Sequence, residues 1–230
     1  MSFEMICKSC GAVSGPSVGV CPYCKVVFTI MEGGKVDVGL SGIVQLYAEG
    51  KLEKALSLMI AAMKQNPRLE EDVPFLLLQA KILFESEGPT SKIKAALIKA
   101  YILEPNNSEV AEYSEMMDAK EKLEPGVKND LGEQALKNLL RRSPKNAHAL
   151  FLLGTHLFWG DKETAMSAQY LQKCVDIRPN FLRAWACLGT IYKSMGHEEL
   201  AVRAFRKCID LETNPQIINY FKSLVSKAAA

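Results

Sequence analysis

Four cysteines near the start of the chain stand in two pairs, Cys7-Lys8-Ser9-Cys10 and Cys21-Pro22-Tyr23-Cys24, with ten residues between the pairs. A two-residue gap lets both thiolates of a pair turn toward one ion while backbone amides stabilise the sulfur charge. Gly11, just after the first pair, and Pro22, inside the second, favour the tight turn this needs. Two such pairs brought face to face supply a tetrahedral all-sulfur set, which suits Zn(II). Four protein ligands leave no open position for water or substrate, so the expected cofactor is one structural Zn2+ held by Cys7, Cys10, Cys21 and Cys24. A redox dithiol pair is the other chemistry open to this spacing. The opening MSFEMICKSCG has no charged flank followed by an apolar run, so no secretory signal is visible. That points to the cytoplasm, where clustered thiols bind metal more readily than they form disulfides.

The two cysteine knuckles resemble the zinc-ribbon family. That resemblance implies a small β-sheet beside the metal, with Val26 to Met31 and Lys35 to Val38 as a terminal hairpin around Gly33-Gly34. A segment of residues 1–38 is too small to bury a sufficient core unaided, and structural zinc supplies about 10–16 kcal/mol in peptides of this type. The ligand set is also similar to that of rubredoxin, but the ten-residue separation is much shorter than in that family. Many zinc ribbons bind nucleic acid, which makes a nucleic-acid-associated regulator the alternative function. Here Lys8, Lys25 and Lys35 are balanced by Glu4, Glu32 and Asp37, so residues 1–38 offer no basic stripe for phosphates.

No catalytic constellation emerges elsewhere. His148, His156 and His197 fall on different parts of the chain without a Cys or Ser partner at a suitable spacing, and Gly33-Gly34-Lys35 lacks the surroundings of a phosphate loop. Cys187 is expected to be buried. Twenty-eight basic against 26 acidic residues give a formal net charge of +2, too balanced to capture nucleic acid or an anionic membrane in general. The longest apolar stretch, Ala147 to Trp159, is too short and too polar to span a bilayer. The chain reads as a non-enzyme.

The elements that follow the cysteines are of a different texture. From about Gly39 onward the chain consists of amphipathic runs rich in Ala, Leu, Lys and Glu, punctuated by proline. Pro67, Pro105, Pro144 and Pro179 each end such a run at separations of 38, 39 and 35 residues, and Thr213 follows in the equivalent place after 34. Gly50, Gly88 and Gly196 each stand 17 residues before one of these stops. Glycine permits a tight turn between two helices, proline stops the second, and the asparagines after the stops are suited to cap the next helix. A period of this length signals an array of helical hairpins.

Residues 182–215 read Trp185-x2-Leu188-Gly189-x2-Tyr192, then Gly196, then Ala201-x3-Phe205. This resembles the tetratricopeptide repeat nearly position for position. Residues 147–181 echo it with Leu150, Leu153-Gly154 and Leu157, at the cost of one extra residue near Asp161 to Thr164. Cys174 and Cys208 occupy one small-residue slot, 34 apart. More degenerate copies cover about 36–70, 74–107 and 113–146, the last with a first helix shortened by Pro125-Gly126. The stretch 215–230, with Ile217, Ile218, Phe221 and Leu224 on one stripe, is expected to cap the array. The expected fold is therefore mainly α, a tetratricopeptide helical-hairpin solenoid over 39–214 with a small N-terminal β zinc ribbon over 1–38.

The resemblance implies a protein–protein interaction scaffold or adaptor, in which the first helix of each hairpin lines a groove for a protein or peptide partner. The groove positions are then His148, Phe151, Thr155, Phe158 and Trp159 in one repeat, with Arg183 and Lys193 beside them in the next. Aromatics are enriched at binding hot spots, and the two cations suit a carboxylate. Burial of Phe158 and Trp159 against an adjacent helix or under the ribbon is the competing placement. The Lys and Asn arrangement with which chaperone-binding members clamp a C-terminal carboxylate is absent. Trp185, Leu188 and Tyr192, at the packing positions, are expected to serve folding.

Overall fold

The computed structural model describes residues 40–124, 130–161 and 163–228, together with four two-residue strands within the first 39 residues. β1 (Met5–Ile6) pairs antiparallel with β2 (Val13–Ser14), and β3 (Thr29–Ile30) with β4 (Val36–Asp37). The second pair lies within the two segments expected to form a terminal hairpin. Cys7, Cys10, Cys21 and Cys24 lie outside the described residues.

The remaining described residues are almost wholly helical. In order they are α1 (Leu40–Ala48), α2 (Leu52–Gln65), α3 (Val73–Glu85), α4 (Thr90–Leu103), α5 (Ser108–Glu121), α6 (Leu131–Arg142), α7 (Ala147–His156), α8 (Thr164–Ile177), α9 (Leu182–Ser194), α10 (Glu198–Leu211) and α11 (Pro215–Ala228). A 3-10 turn (Pro67–Glu71) precedes α3, and a π turn (Leu157–Asp161) continues α7. Helices α2, α4, α6 and α8 end at Gln65, Leu103, Arg142 and Ile177, each two residues before its proline. The residue before a proline is pushed out of the helical region, which sets these ends.

Asparagine caps follow. Asn107 accepts from the amides of Glu109 and Val110 at 3.1 and 3.2 Å, and Asn146 from that of Ala149 at 3.0 Å. The pattern breaks at α9, whose N-cap is Phe181, without a side-chain cap bond. It breaks again at Gly88. Gly50 and Gly196 take the left-handed backbone their turns require, with φ of +76° and +73°, but in the turn after α3 that conformation falls on Glu87, at φ 58°. The helix expected to be short is not. α5 runs for 14 residues because Asn107 starts it well upstream of residue 113.

The chain divides into two compact units, Met1–Ala96 and Leu97–Ala230. The division falls inside α4, whereas the change in composition lies near residue 39. In the first unit Ile43 of α1, Ala55, Met59 and Ala62 of α2, and Phe75, Leu78 and Ile82 of α3 form a buried apolar cluster. At its edge the Tyr47 hydroxyl donates to the buried Glu85 carboxylate at 2.6 Å.

In the second unit the hairpins α7–α8 and α9–α10 repeat one packing device. The glycine of each first helix lies hard against the second helix. A Cβ on Gly154 would stand 2.8 Å from Leu171 Cγ, and one on Gly189 would stand 2.6 Å from Phe205 Cε1. Ala201, Phe205 and Cys208 of α10 join Phe221 of α11 in a core against which Leu182, Trp185, Tyr192 and Leu224 pack. The stripe that closes this end runs through Phe221, Leu224 and Val225, while Ile217, expected on it, is exposed. Leu188 is fully buried; Trp185 and Tyr192 are partly buried, donating to Pro179 O at 2.7 Å and Gln172 Oε1 at 3.1 Å.

Candidate partner-binding face

The residues expected to line a groove separate into two clusters on α7, its π turn and α9. The first is a row of rings. Tyr113 of α5 meets His148 of α7 edge-on at 5.5 Å between centroids, and His148 meets Phe181, at the head of α9, at 5.4 Å. Phe181 lies 4.8 Å from Phe151, and the Arg183 guanidinium carbon stands 4.9 Å above the Phe151 ring. A hydrogen bond joins the Tyr113 hydroxyl to His148 Nδ1.

His148 and Phe151 are each only 3% exposed, so they do not line an open groove as expected. The reason is positional. Tyr113 and Phe181, large rings at the two neighbouring first helices, close over the edge of α7 from both sides. Arg183, part-buried on Phe151, is the member of this cluster nearest solvent, held by a cation–π contact. Thr155 is also part-buried, and its hydroxyl bonds back to the carbonyls of Phe151 and Leu152 at 2.9 and 3.0 Å. It is therefore engaged with its own helix.

The second cluster is Phe158 and Trp159 on the π turn. Their rings meet at 4.7 Å, with Phe158 half-buried and Trp159 67% exposed. The wider π turn takes up an additional residue without ending the helix, which accounts for the longer repeat here. It also carries Trp159 out from the helices of its own unit, where the side chain is exposed. Lys193, part-buried in the last turn of α9, belongs to neither cluster. Neither α7 nor α9 contains a carboxylate, so Arg183 and Lys193 are the only formal charges these two helices carry.

Reading the sequence missed a buried polar junction behind the π turn. Asp130 caps α6, accepting from Glu133 N at 2.5 Å, and also accepts from Glu124 N at 2.8 Å. Its Oδ2 lies 3.2 Å from His156 Nε2, with both side chains 3% exposed. The approach is off the direction of a hydrogen bond, so Nε2 makes none, and the contact becomes an ion pair when the imidazole is protonated. Glu133, also buried, pairs with Lys137 and raises its pKa above the usual lysine range. The signal was present as Asp130-x2-Glu133 before an apolar run, a helix-start pattern.

Burial pushes the Cys208 thiol up to about 12, which removes it as a nucleophile at neutral pH. Cys187 is part-exposed, contrary to the expectation of burial. Among the described residues no group of three His, Cys, Asp or Glu side chains is placed to hold a metal ion. No helix among them is long and apolar enough to cross a membrane.

Residues 147–181 and 182–215 each match the tetratricopeptide repeat family, and these spans are the hairpins α7–α8 and α9–α10. The chain therefore carries two consecutive repeats of this type. No curated protein matches the chain. Solved structures similar to it include a thermophilic tetratricopeptide repeat protein of Thermus thermophilus, 18% identical, covering 81% of this chain and 97% of that one with a TM-score of 0.47. Another is a tetratricopeptide repeat protein from Parabacteroides merdae, 15% identical, covering 81% and 69% at a TM-score of 0.49. A third is MamA from Desulfovibrio magneticus, 20% identical, covering 74% and 90% at a TM-score of 0.36.

Proposed function

We propose that this protein is a non-enzymatic scaffold that holds a protein or peptide partner on its tetratricopeptide hairpins. The observation that carries the reading is the exposed Trp159, set out on the π turn of one repeat and followed by a neighbouring first helix whose only charges are Arg183 and Lys193. An exposed tryptophan supplies an apolar anchor, and cations on the neighbouring helix suit an acidic group on the partner. Phe151 lies beneath Arg183, its ring 4.9 Å from the guanidinium carbon. The test is capture of partner by the purified chain, compared with Trp159→Ala and with Arg183→Ala/Lys193→Ala. Capture that survives both would remove this face from consideration.

The N-terminal segment is read as a structural zinc ribbon in the cytoplasm. Cys7 and Cys10 fall, in sequence, between the paired strands β1 and β2, and Cys21 and Cys24 precede the β3–β4 pair. Four soft thiolates are a donor set that zinc fits. They would hold the ion as a closed cross-link and supply no reactive position. Metal-replete protein should contain one zinc per chain by elemental analysis, lost in a Cys10→Ser/Cys21→Ser variant that keeps most of its helical circular dichroism. Iron alone, or no metal, overturns the ribbon.

A further inference from the structure

We infer that Asp130 and His156 form a proton-operated latch, which ties the π turn and its Trp159 to the start of α6 when the imidazole is charged. The bearing on partner capture rests on the Trp159 reading; the latch itself does not. His156 is the last residue of α7, and the π turn begins at the next residue. Asp130 is the N-cap of α6. Their contact therefore joins the start of one helix to the root of the turn that carries Trp159.

That contact is incomplete. Both side chains are 3% exposed and Oδ2 stands 3.2 Å from Nε2, yet Nε2 has no hydrogen-bond partner among the described residues. Buried polar atoms without a partner are few in folded chains and costly, so each one calls for a reason. Asp130 is not at liberty to turn and meet the ring. Its Oδ1 accepts from Glu133 N at 2.5 Å and its Oδ2 from Glu124 N at 2.8 Å. The imidazole, held by no bond at Nε2, is the side that can adjust.

A neutral imidazole carries one N–H and no net charge, so the carboxylate attracts it weakly. A protonated ring has an N–H at both nitrogens and a positive charge. A buried carboxylate at this distance attracts that charge strongly, because little water screens it. Histidine is also the side chain whose charge ordinarily changes between about pH 5 and 8. The other charges around the junction leave the pairing to these two. On α6, Glu133 is paired with Lys137, so that cation is already engaged. On α8, exposed Glu163 and half-buried Tyr170 also act on Lys137. The end of α5, which lies against Gly132, adds Lys120, Glu121 and Lys122, the last two exposed. On α7 itself, His148 is bonded to the Tyr113 hydroxyl at the opposite end of the helix. As pH falls, Nε2 gains its proton, the ring turns onto Oδ2, and the root of the π turn is fixed. The latch closes in acid and opens as pH rises.

The test uses the full chain with no partner present, so its result is independent of whether Trp159 anchors one. Amide exchange is followed from about pH 8 down to about pH 5.5, above the ordinary carboxylate range, and each rate is divided by its intrinsic value at that pH. Protection at Leu157–Asp161 should rise about tenfold toward the acid end, the effect of one charge-assisted bond on a local opening. The α9–α10 amides should keep theirs. The Trp159 indole resonance should move over the same pH range. That of Trp185, whose Nε1 donates to Pro179 O at 2.7 Å, should stay in place. Asp130→Asn keeps an acceptor for the α6 cap but removes the charge, and His156→Gln keeps a donor that does not titrate. Both should abolish the pH dependence, and should one fail to fold, the other decides alone. Turn protection that ignores pH in the parent overturns the latch, as does a pH dependence that survives in a folded variant. A rise shared equally by α9–α10 also overturns it, because it reports global stability. So does a Trp159 resonance that stays still while the turn gains protection.

Discussion

The hairpins α7–α8 and α9–α10 share a motif, yet they use it differently. In α7 every residue from His148 to Gly154 is buried, so the helix is enclosed on nearly all sides. In α9 Ala184, Leu188, Gly189 and Ile191 are buried while Thr190 and Ser194 face solvent, giving an ordinary one-sided helix. The second hairpin turns at Gly196 in the left-handed conformation, whereas the first runs into a π turn and presents Trp159 there. One repeat has become an interior wall with an aromatic tip, and the next keeps a polar outer surface. A shared motif thus fixes how two helices of a hairpin meet, while the neighbours on either side decide which of its faces stay open.

The glycine at the centre of each hairpin should break the comparison most strongly. Filling it costs overpacking of about 1–3 kcal/mol, offset in part by the ~0.5–1 kcal/mol that alanine gains over glycine inside a helix. Gly189→Ala should lose more than Gly154→Ala. The new methyl meets the rigid Phe205 ring in α9, with three ring atoms within 3.0 Å, but a leucine able to change rotamer in α7. Urea unfolding of the two variants checks the order, and a larger loss at Gly154 would mean that the α7–α8 contact is the stiffer one.

Asp130 sharpens the contrast from the other side, because a buried polar junction backs the first hairpin. Asp130→Ala removes the α6 cap and the acceptor for Glu124 N, an expected loss of about 1–2 kcal/mol. Asp130→Asn, which keeps an acceptor, should lose less. Hydrogen exchange should quicken around the π turn in the alanine variant while α9–α10 keeps its protection. Uniform acceleration would show that the junction has no local role.

Cys174 and Cys208 fill one slot in the two hairpins, and both are buried. The folded Cys208 thiol ionises at about 12, against roughly 8.5 in an unfolded chain. A raised folded-state pKa means that stability is complete below the unfolded value and falls as pH climbs through the window between them. Thermal melts from neutral to alkaline pH should therefore decline less steeply in Cys208→Ala than in the parent. In native protein a thiol reagent should label the part-exposed Cys187 well before Cys174 or Cys208, as peptide mapping would show.

Local signals account for what the sequence made legible. Each proline stop falls two residues past a helix end, and Asn107 and Asn146 cap as their position suggests, since both effects act over one turn of chain. The hairpins at 147–181 and 182–215 were readable for the same reason. What the sequence concealed was non-local. His148 and Phe151 stand at groove positions by count, but Tyr113 and Phe181 cover them from other helices. The extra residue near 161 was visible as a length, not as a π turn. The left-handed residue at 87 was hidden because Gly88, the conformationally permissive choice, stands beside it.

Trp159 should show the smallest effect on stability and the largest on binding. Phe151, buried under Arg183, now belongs with Leu188 among residues needed for folding, so Phe151→Ala is expected to cost about 3–5 kcal/mol. Trp159 is mostly in water and touches Phe158 edge-on, so its removal forfeits at most one aromatic pair, about 0.5–1.5 kcal/mol. If the π turn exists to present that ring, Trp159→Ala should melt close to the parent while partner capture weakens by ~2 kcal/mol or more, roughly thirtyfold. Phe158→Ala should fall between the two, since its half-buried ring supports the tryptophan from beneath. The converse result would be a Trp159 variant that unfolds readily yet captures partner fully whenever folded. That would make the ring a brace for the turn, and the partner would then have to be sought on α9 alone, where Arg183 and Lys193 remain.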